Sequence, residues 1–330
     1  MSAEKKKLLE VKGLKTVFRI ESNTAKAVDG VDFHIYENEV LGLVGESGCG
    51  KSVTALSILR LIPDPPGKIT DGEIFFRGKD LLKLSYPEMR KIRGKDISMI
   101  FQEPMTSLNP VFSVGWQLKE AVSFHQPGLT RAQVEDRAVE MLSLVGIPSP
   151  RARLDDYPHQ FSGGMRQRVM IAMALSSDPA LLIADEPTTA LDVTIQAQIL
   201  DLMLEVKKKT HDAAILLITH DLAVVAETCQ RVAVMYGGKI QEISDVKPLF
   251  DEPLHPYTKG LLLSLPGFKN EGINRLPVIQ GMVPDIMSFP KGCKFNNRCP
   301  EVMPVCSETE PELIEVSPGR QVRCHKCQKK

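Results

Sequence analysis

Eight consecutive residues, Gly45-Glu46-Ser47-Gly48-Cys49-Gly50-Lys51-Ser52, carry the first chemistry the sequence offers. A glycine, four further residues and then Gly-Lys-Ser is the spacing of a phosphate-binding loop. Glycines let the backbone curl until its N–H groups point at phosphate oxygens, and a following helix N-terminus adds partial positive charge. Lys51 is placed to reach the outer phosphates and the Ser52 hydroxyl to ligate Mg²⁺. A glycine-rich turn with no ligand is the plainer alternative. The full pattern, set between an apolar run at Val40–Val44 and a helical run opening at Val53, favours phosphate.

Further along, Ala180-Leu-Leu-Ile-Ala-Asp185-Glu186 is a buried-strand run that ends in two carboxylates. Asp185 is positioned to hold a Mg²⁺ shell through water. Glu186 beside it is positioned to orient or deprotonate an attacking water. Gln102 closes the strand-like run Asp96–Phe101, at the strand end where an open α/β sheet meets its ligand. His220 stands at the end of Ala213–Thr219, where it reads either as a γ-phosphate contact or as a plain structural histidine. Ser162-Gly163-Gly164 precedes a clean helix from Met165 to Ser176, which makes either a second anion-binding helix start or a well-capped surface helix. Phe18 lies on a strand upstream of the loop, and spacing alone leaves it open between an adenine-stacking ring and a core residue.

Stepping outward, the 330 residues suffice for one large domain or two ordinary ones. The 41 basic and 41 acidic residues balance, so charge gives no reason to expect nucleic acid. The charged start lacks the apolar core of a signal peptide, and no apolar run approaches the ~20 residues that span a bilayer. The expectation is a cytosolic chain whose membrane role, if any, works through a protein partner. Leu8–Lys12, Lys15–Ile20 and Ala27–Ile35 read as strands, as does Gly72–Arg77. Val114–Phe124 and Arg131–Val145 have helical apolar spacing, with Thr130 as cap and Gly146 as terminator. Arg231–Met235 and Lys239–Glu242 read as a hairpin about Gly237-Gly238. From Asp245 onward prolines punctuate the chain, which places a domain boundary near residue 245.

Taken together, Gly45–Ser52, Gln102, Ser162–Gly164, Leu181–Glu186, Asp192 and His220 resemble, in order and spacing, a subunit of the ATP-binding-cassette (ABC) transporter family. The resemblance covers residues 8 to about 245. Pro248-Leu-Phe250 and Leu254-His-Pro-Tyr-Thr258 look like the C-terminal extension of the oligopeptide/dipeptide importer branch, and Gln102–Pro110 is also similar to that branch, in particular to its D-type subunit. The resemblance implies an α/β P-loop NTPase: a mixed RecA-like sheet, an antiparallel β subdomain, a helical subdomain over about 105–178 and a small loop-rich C-terminal domain, divided as 1–245 and 246–330. It implies an ATPase coupled to uptake of dipeptides or oligopeptides, with ATP and Mg²⁺ at Phe18, Gly45–Val53, Gln102 and Asp185. Glu186 would be the general base, His220 the γ-phosphate switch, Gln102 the sensor of γ-phosphate and Mg²⁺, and Asp192 part of the loop crossing to a second cassette. Ser162, Gly163, Gly164 and Met165 would close over nucleotide held by that facing cassette. Met165 stands where the family often has Gln, so one polar contact is lost. Implied partners are a similar but different ATPase subunit, two transmembrane permeases and, indirectly, a peptide-binding protein, at the cytoplasmic face of the membrane. The alternatives are nickel or another small solute as cargo, a soluble non-transport cassette, or a metal-storage or redox module.

Five of the seven cysteines crowd the last forty or so residues. Structural disulfides are not expected in a cytosolic chain. Cys293, Cys299, Cys306 and Cys324 resemble the ligands of a [4Fe–4S] cluster in some members of the peptide-importer branch. Four thiolates suit that cluster or zinc, but zinc folds usually show paired CxxC steps, and only Cys324 and Cys327 make such a pair. The wider spacing leans toward a cluster, with zinc or free thiols as alternatives and Cys327 as a spare.

Overall fold

A computed structural model of the chain describes residues 5–102, 108–188, 193–209, 213–267 and 277–328. Its strands are β1 (Lys7–Ile20), β2 (Asn23–Tyr36), β3 (Val40–Val44), β4 (Gly67–Phe76), β5 (Lys79–Asp80), β6 (Ile97–Ile100), β7 (Leu181–Asp185), β8 (Ala214–Thr219), β9 (Arg231–Tyr236), β10 (Lys239–Asp245), β11 (Ile314–Ser317) and β12 (Arg320–Val322). Its α-helices are α1 (Lys51–Ile58), α2 (Tyr86–Ile92), α3 (Val114–His125), α4 (Arg131–Leu144), α5 (Pro150–Arg153), α6 (Gly163–Leu175), α7 (Val193–Lys209), α8 (Leu222–Thr228), α9 (Val246–Asp251), α10 (Pro256–Leu263) and α11 (Pro304–Glu308). They form two compact units, one of residues 1–36, 40–83 and 218–330, the other of residues 37–39 and 84–217.

The first unit contains an antiparallel sheet in the order β2-β1-β4-β5. The sequence separates Leu8–Lys12 from Lys15–Ile20, yet the structure joins them in β1. Gly13 takes φ +55° there and the register slips between Val11 and Leu14, so a bulge carries the strand through what reads as a break. β4 likewise begins at Gly67, ahead of the expected Gly72. A second sheet in this unit runs β11-β12-β10-β9-β3, with β3 parallel to β9 and the rest antiparallel. All five residues of β3 are buried, as a parallel strand covered on both faces demands. β12 joins β10 through Glu242–Val322 and Ile243–Gln321, which stitches the end of the chain into this sheet.

In the second unit β6 and β7 pair in parallel, with β8 beyond β7. The division between the units falls within β8. Helices α3, α4 and α6 pack on one another. Thr130 caps α4, as the sequence predicts, and with Gln133 forms a capping box; Ser113, which the sequence reading did not name, caps α3 by accepting from the Trp116 N–H at 3.2 Å. Gly146 follows α4 at φ +71°, a left-handed terminator. Mixed sheets with packed helices make an α/β fold, as the sequence implies.

Candidate nucleotide site

The phosphate loop follows β3 and runs into α1, which begins at Lys51 rather than at Val53. A Cβ on Gly45 would lie 2.1 Å from the Met235 carbonyl oxygen, and one on Gly50 would lie 2.4 Å from that of Ala27. Only glycine admits this close approach of loop to sheet. Gly50 also takes φ +106° and gives α1 no side-chain cap, so no protein hydroxyl or carboxylate of the cap residue competes for the helix's first N–H groups. Lys51 is 5 % exposed and its ammonium bends back over the loop, donating to the Gly45 carbonyl at 2.8 Å and the Glu46 carbonyl at 3.2 Å. Burial pushes the Cys49 thiol above its ordinary range, and Lys51 pulls the other way. Ser47 and Gly48 are exposed, while Ser52 and Val53 are half-buried on the first turn of α1.

Phe18 is half-buried on β1, paired with Ala25 and Gly67 across the antiparallel sheet. A Cβ on Gly67 would be 2.7 Å from its ring, so the ring lies over that glycine rather than in the core. His220 is exposed just beyond β8. Asp221 next to it caps α8, accepting from the N–H groups of Ala223 at 2.8 Å and Val224 at 3.4 Å.

In the second unit Asp185 is buried at the end of β7 and Glu186 is half-buried beyond it. Glu186 takes φ +46°, a left-handed conformation that costs a side chain on the order of 1 kcal/mol and recurs at functional turns. Gln102, exposed after β6, donates from Nε2 to Glu186 Oε2 at 3.1 Å. The structure thus joins two residues that lie 84 positions apart and were singled out separately. Ser162 caps α6, its Oγ accepting from the Met165 N–H at 3.3 Å. Ser162 and Gly163 are exposed, Gly164 and Met165 half-buried. Arg166 ties the preceding loop by donating to the carbonyls of Pro158 at 2.7 Å and Phe161 at 3.1 Å. Asp192 and residues 103–107 of the Gln102–Pro110 stretch lie outside the described residues.

The end of the chain meets the phosphate loop. Arg298 donates to both carboxylate oxygens of Glu46, at 2.7 and 3.0 Å, and the Glu46 N–H donates to the Tyr257 hydroxyl at 2.9 Å. The loop is held from both sides of the same residue.

A family profile described as "ABC transporter" matches residues 28–189, and one described as "Oligopeptide/dipeptide transporter, C-terminal region" matches residues 241–306. A probable peptide ABC transporter ATP-binding protein of Sinorhizobium fredii is 54 % identical over 96 % of this chain and 94 % of its own. The dipeptide transport ATP-binding protein DppD of Bacillus subtilis is also 54 % identical, over the same shares. This chain belongs to the oligopeptide/dipeptide family of ABC transporter ATPases. Among solved structures, the dimeric post-hydrolysis state of the ATP-binding cassette MJ0796 bound to ADP and phosphate aligns with a TM-score of 0.65 at 26 % identity, covering 72 % of this chain and 98 % of that one.

This ABC ATPase has no helix among its described residues long and apolar enough to cross a membrane. None of its tail cysteines forms a disulfide. Cys293, Cys299, Cys306 and Cys324 line one small closed cavity together with His255 and Phe295, and Cys327 does not line it. Burial pushes Cys293 and Cys324 up to about 11. Among the described residues, no group of three or more His, Cys, Asp or Glu stands in metal-holding geometry. The fit to a cluster therefore rests on the donor set and its placement, not on coordination geometry.

Sequence reading did not single out Arg298 or Tyr236, and Tyr257 entered only as one letter of the Leu254–Thr258 motif, with no role. Arg298 lies 252 residues from Glu46, so no local pattern announces the pair. The only available signal was a basic residue immediately before a tail cysteine.

Proposed function

We propose that this ATPase drives import of dipeptides or oligopeptides across the cytoplasmic membrane, and that it works at the membrane's cytoplasmic face. The observation that carries this reading is the joint match of cassette and peptide-transporter C-terminal region along one chain, with relatives of that naming over nearly its whole length. Gly45–Ser52 and Val53 hold the phosphates of ATP, with Lys51 on the outer oxygens and Ser52 and Asp185 on Mg²⁺. Phe18 stacks on the adenine. Glu186 takes the proton of the attacking water, Gln102 orients it through the 3.1 Å contact, and His220 contacts the γ-phosphate.

The exposed Ser162–Met165 turn closes over ATP held by a facing cassette, and Asp192 belongs to the loop that crosses to it. ATP is thereby part of an interface: binding favours closure, and hydrolysis releases it. That partner is a second, similar ATPase subunit, and the pair docks on two transmembrane permeases supplied by a peptide-binding protein. Residues 1–245 form the cassette and 246–330 the extension. Cys293, Cys299, Cys306 and Cys324 would hold a [4Fe–4S] cluster, with zinc as the alternative; four thiols around one cavity, three of them buried and Cys299 half-buried, support the donor set. Such a group would brace a loop-rich tail.

The transport reading is tested by deleting the chain in its own cell and measuring uptake of labelled dipeptide, tetrapeptide and nickel. Loss of peptide uptake, restored by the wild-type chain but not by Lys51→Ala, is expected. Retained peptide uptake with lost nickel uptake would replace the cargo. Anaerobic purification with iron, acid-labile sulfide and zinc assays tests the cluster, and zinc without iron would overturn it.

A further inference from the structure

The C-terminal region of this ATPase does more than follow the cassette: one short segment of it touches the phosphate loop. Residues 293–299 carry Cys293, Phe295, Arg298 and Cys299 within seven positions. Phe295 is 1 % exposed and anchors the segment, its ring centroid 5.3 Å from those of both Tyr236 and Tyr257. Tyr236 ends β9, which pairs with β3, and β3 leads into the loop. The anchor is therefore fastened to the same sheet that launches the phosphate loop.

From this anchor Arg298 reaches Glu46. Its side chain is 3 % exposed, and both Nη groups meet the Glu46 carboxylate, a two-pronged geometry that fixes direction as well as distance. The remaining donors go to the Gln280 carbonyl at 3.1 Å, the Gly281 carbonyl at 3.2 Å and the Tyr236 hydroxyl at 3.5 Å. Tyr257 is fully buried, and its hydroxyl accepts from the Glu46 N–H at 2.9 Å. Side chain and backbone of Glu46 are thus held by two residues of the C-terminal region. Glu46 is the second residue of the loop, and Lys51 closes the same turn by donating to its carbonyl at 3.2 Å.

Two physical consequences follow. A loop of eight residues with three glycines has many conformations, and each restraint on Glu46 raises the fraction poised for ligand. The Glu46 carboxylate also sits on a loop that must receive a polyanion. Arg298 neutralises it, so the loop meets phosphate without a competing negative charge.

We propose that Arg298 and Tyr257 are positioning residues for the phosphate loop, so that the cysteine-bearing segment 293–299 sets the affinity of this cassette for Mg·ATP. The proposal rests on the reading that Gly45–Ser52 holds the phosphates of ATP. Neither residue touches nucleotide; both act through Glu46.

The test uses the full chain, as purified, with fluorescent ATP for the dissociation constant and steady-state kinetics for KM and kcat. Arg298→Gln should raise the dissociation constant and KM about tenfold, the effect of cutting the poised fraction to about a tenth, while kcat stays within about twofold. Arg298→Lys, which restores the charge but not the fork, should fall between wild type and Arg298→Gln. Tyr257→Phe removes one hydroxyl from a buried ring, keeps the fold, and should weaken ATP about threefold; it decides the question should Arg298→Gln fail to fold. Lys51→Ala is the control on the underlying reading. If Lys51→Ala loses ATP while Arg298→Gln and Tyr257→Phe bind it as wild type does, the positioning role is overturned. If Lys51→Ala binds ATP normally, the phosphate-loop reading itself is overturned. A fall in kcat at unchanged KM in Arg298→Gln would also overturn it, because that result places Arg298 outside nucleotide binding.

Discussion

Replacing Glu186 by Gln probes the chemistry of this ATPase at a single atom. The amide has the volume of the carboxylate and can keep the left-handed turn at φ +46°, so the end of β7 is undisturbed. It can also turn its oxygen toward Gln102 Nε2, which now lies 3.1 Å from Oε2, and so keep that contact. What it cannot do is accept a proton from water. Loss of a general base costs roughly 10²–10⁴ in rate, or about 2.7–5.4 kcal/mol of barrier. The phosphate loop is untouched, so the dissociation constant for Mg·ATP should stay within about twofold. The assay is single-turnover hydrolysis of radiolabelled ATP beside equilibrium binding, using equal amounts of the two chains. Unchanged turnover would refute the assignment of Glu186 as base. Lost turnover accompanied by lost binding would refute the argument that the substitution is confined to the chemical step.

Further outcomes are expected elsewhere. Ser162→Ala removes the Oγ that accepts from the Met165 N–H and should lower stability by about 1 kcal/mol in urea unfolding; Ser162→Arg should in addition slow hydrolysis at a partner cassette while leaving this chain's own ATP affinity intact. Phe295→Ala, in the aromatic cluster with Tyr236 and Tyr257, should cost about 3–5 kcal/mol by the same measurement. Burial holds His255 down to about 3 from its ordinary 6.5, and its Nδ1 accepts from the Tyr257 N–H at 3.0 Å, which requires the neutral ring. Below pH 6.5 the unfolded chain takes up a proton that the folded chain refuses, so stability present above 6.5 is lost as pH falls toward 3, at up to about 1.4 kcal/mol per pH unit from this group. His255→Gln should flatten that part of the unfolding profile, and an unchanged slope would contradict the assignment.

Much of the candidate nucleotide site was legible because its pieces are local. Gly45–Ser52 sits between a wholly apolar strand and a helix, and Leu181–Asp185 and Ala214–Thr219 are apolar runs of strand length that end in polar residues. The caps at Thr130 and Ser162 follow from side chains that accept from the first turn. Boundaries were less legible. Gly13 reads as a break but makes a bulge, because β2 and β4 pair with β1 on either side of the slip and carry it through as one strand, and α1 starts at Lys51 because Gly50 completes the turn before it. The hold of the C-terminal region on the loop was not legible at all. It depends on Phe295, Tyr257 and Arg298 converging on Glu46 from more than 200 positions away, and each alone looks like an ordinary aromatic or a solvated cation.

The most direct measurement is the structure of the Glu186→Gln chain with its partner subunit and Mg·ATP. The account predicts nucleotide phosphates against the N–H groups of residues 45–52, within hydrogen-bond reach of Lys51, with Ser162 of this chain on the ATP of the facing cassette. Nucleotide bound away from the phosphate loop, or a Ser162 turn facing only solvent in the closed assembly, would contradict it.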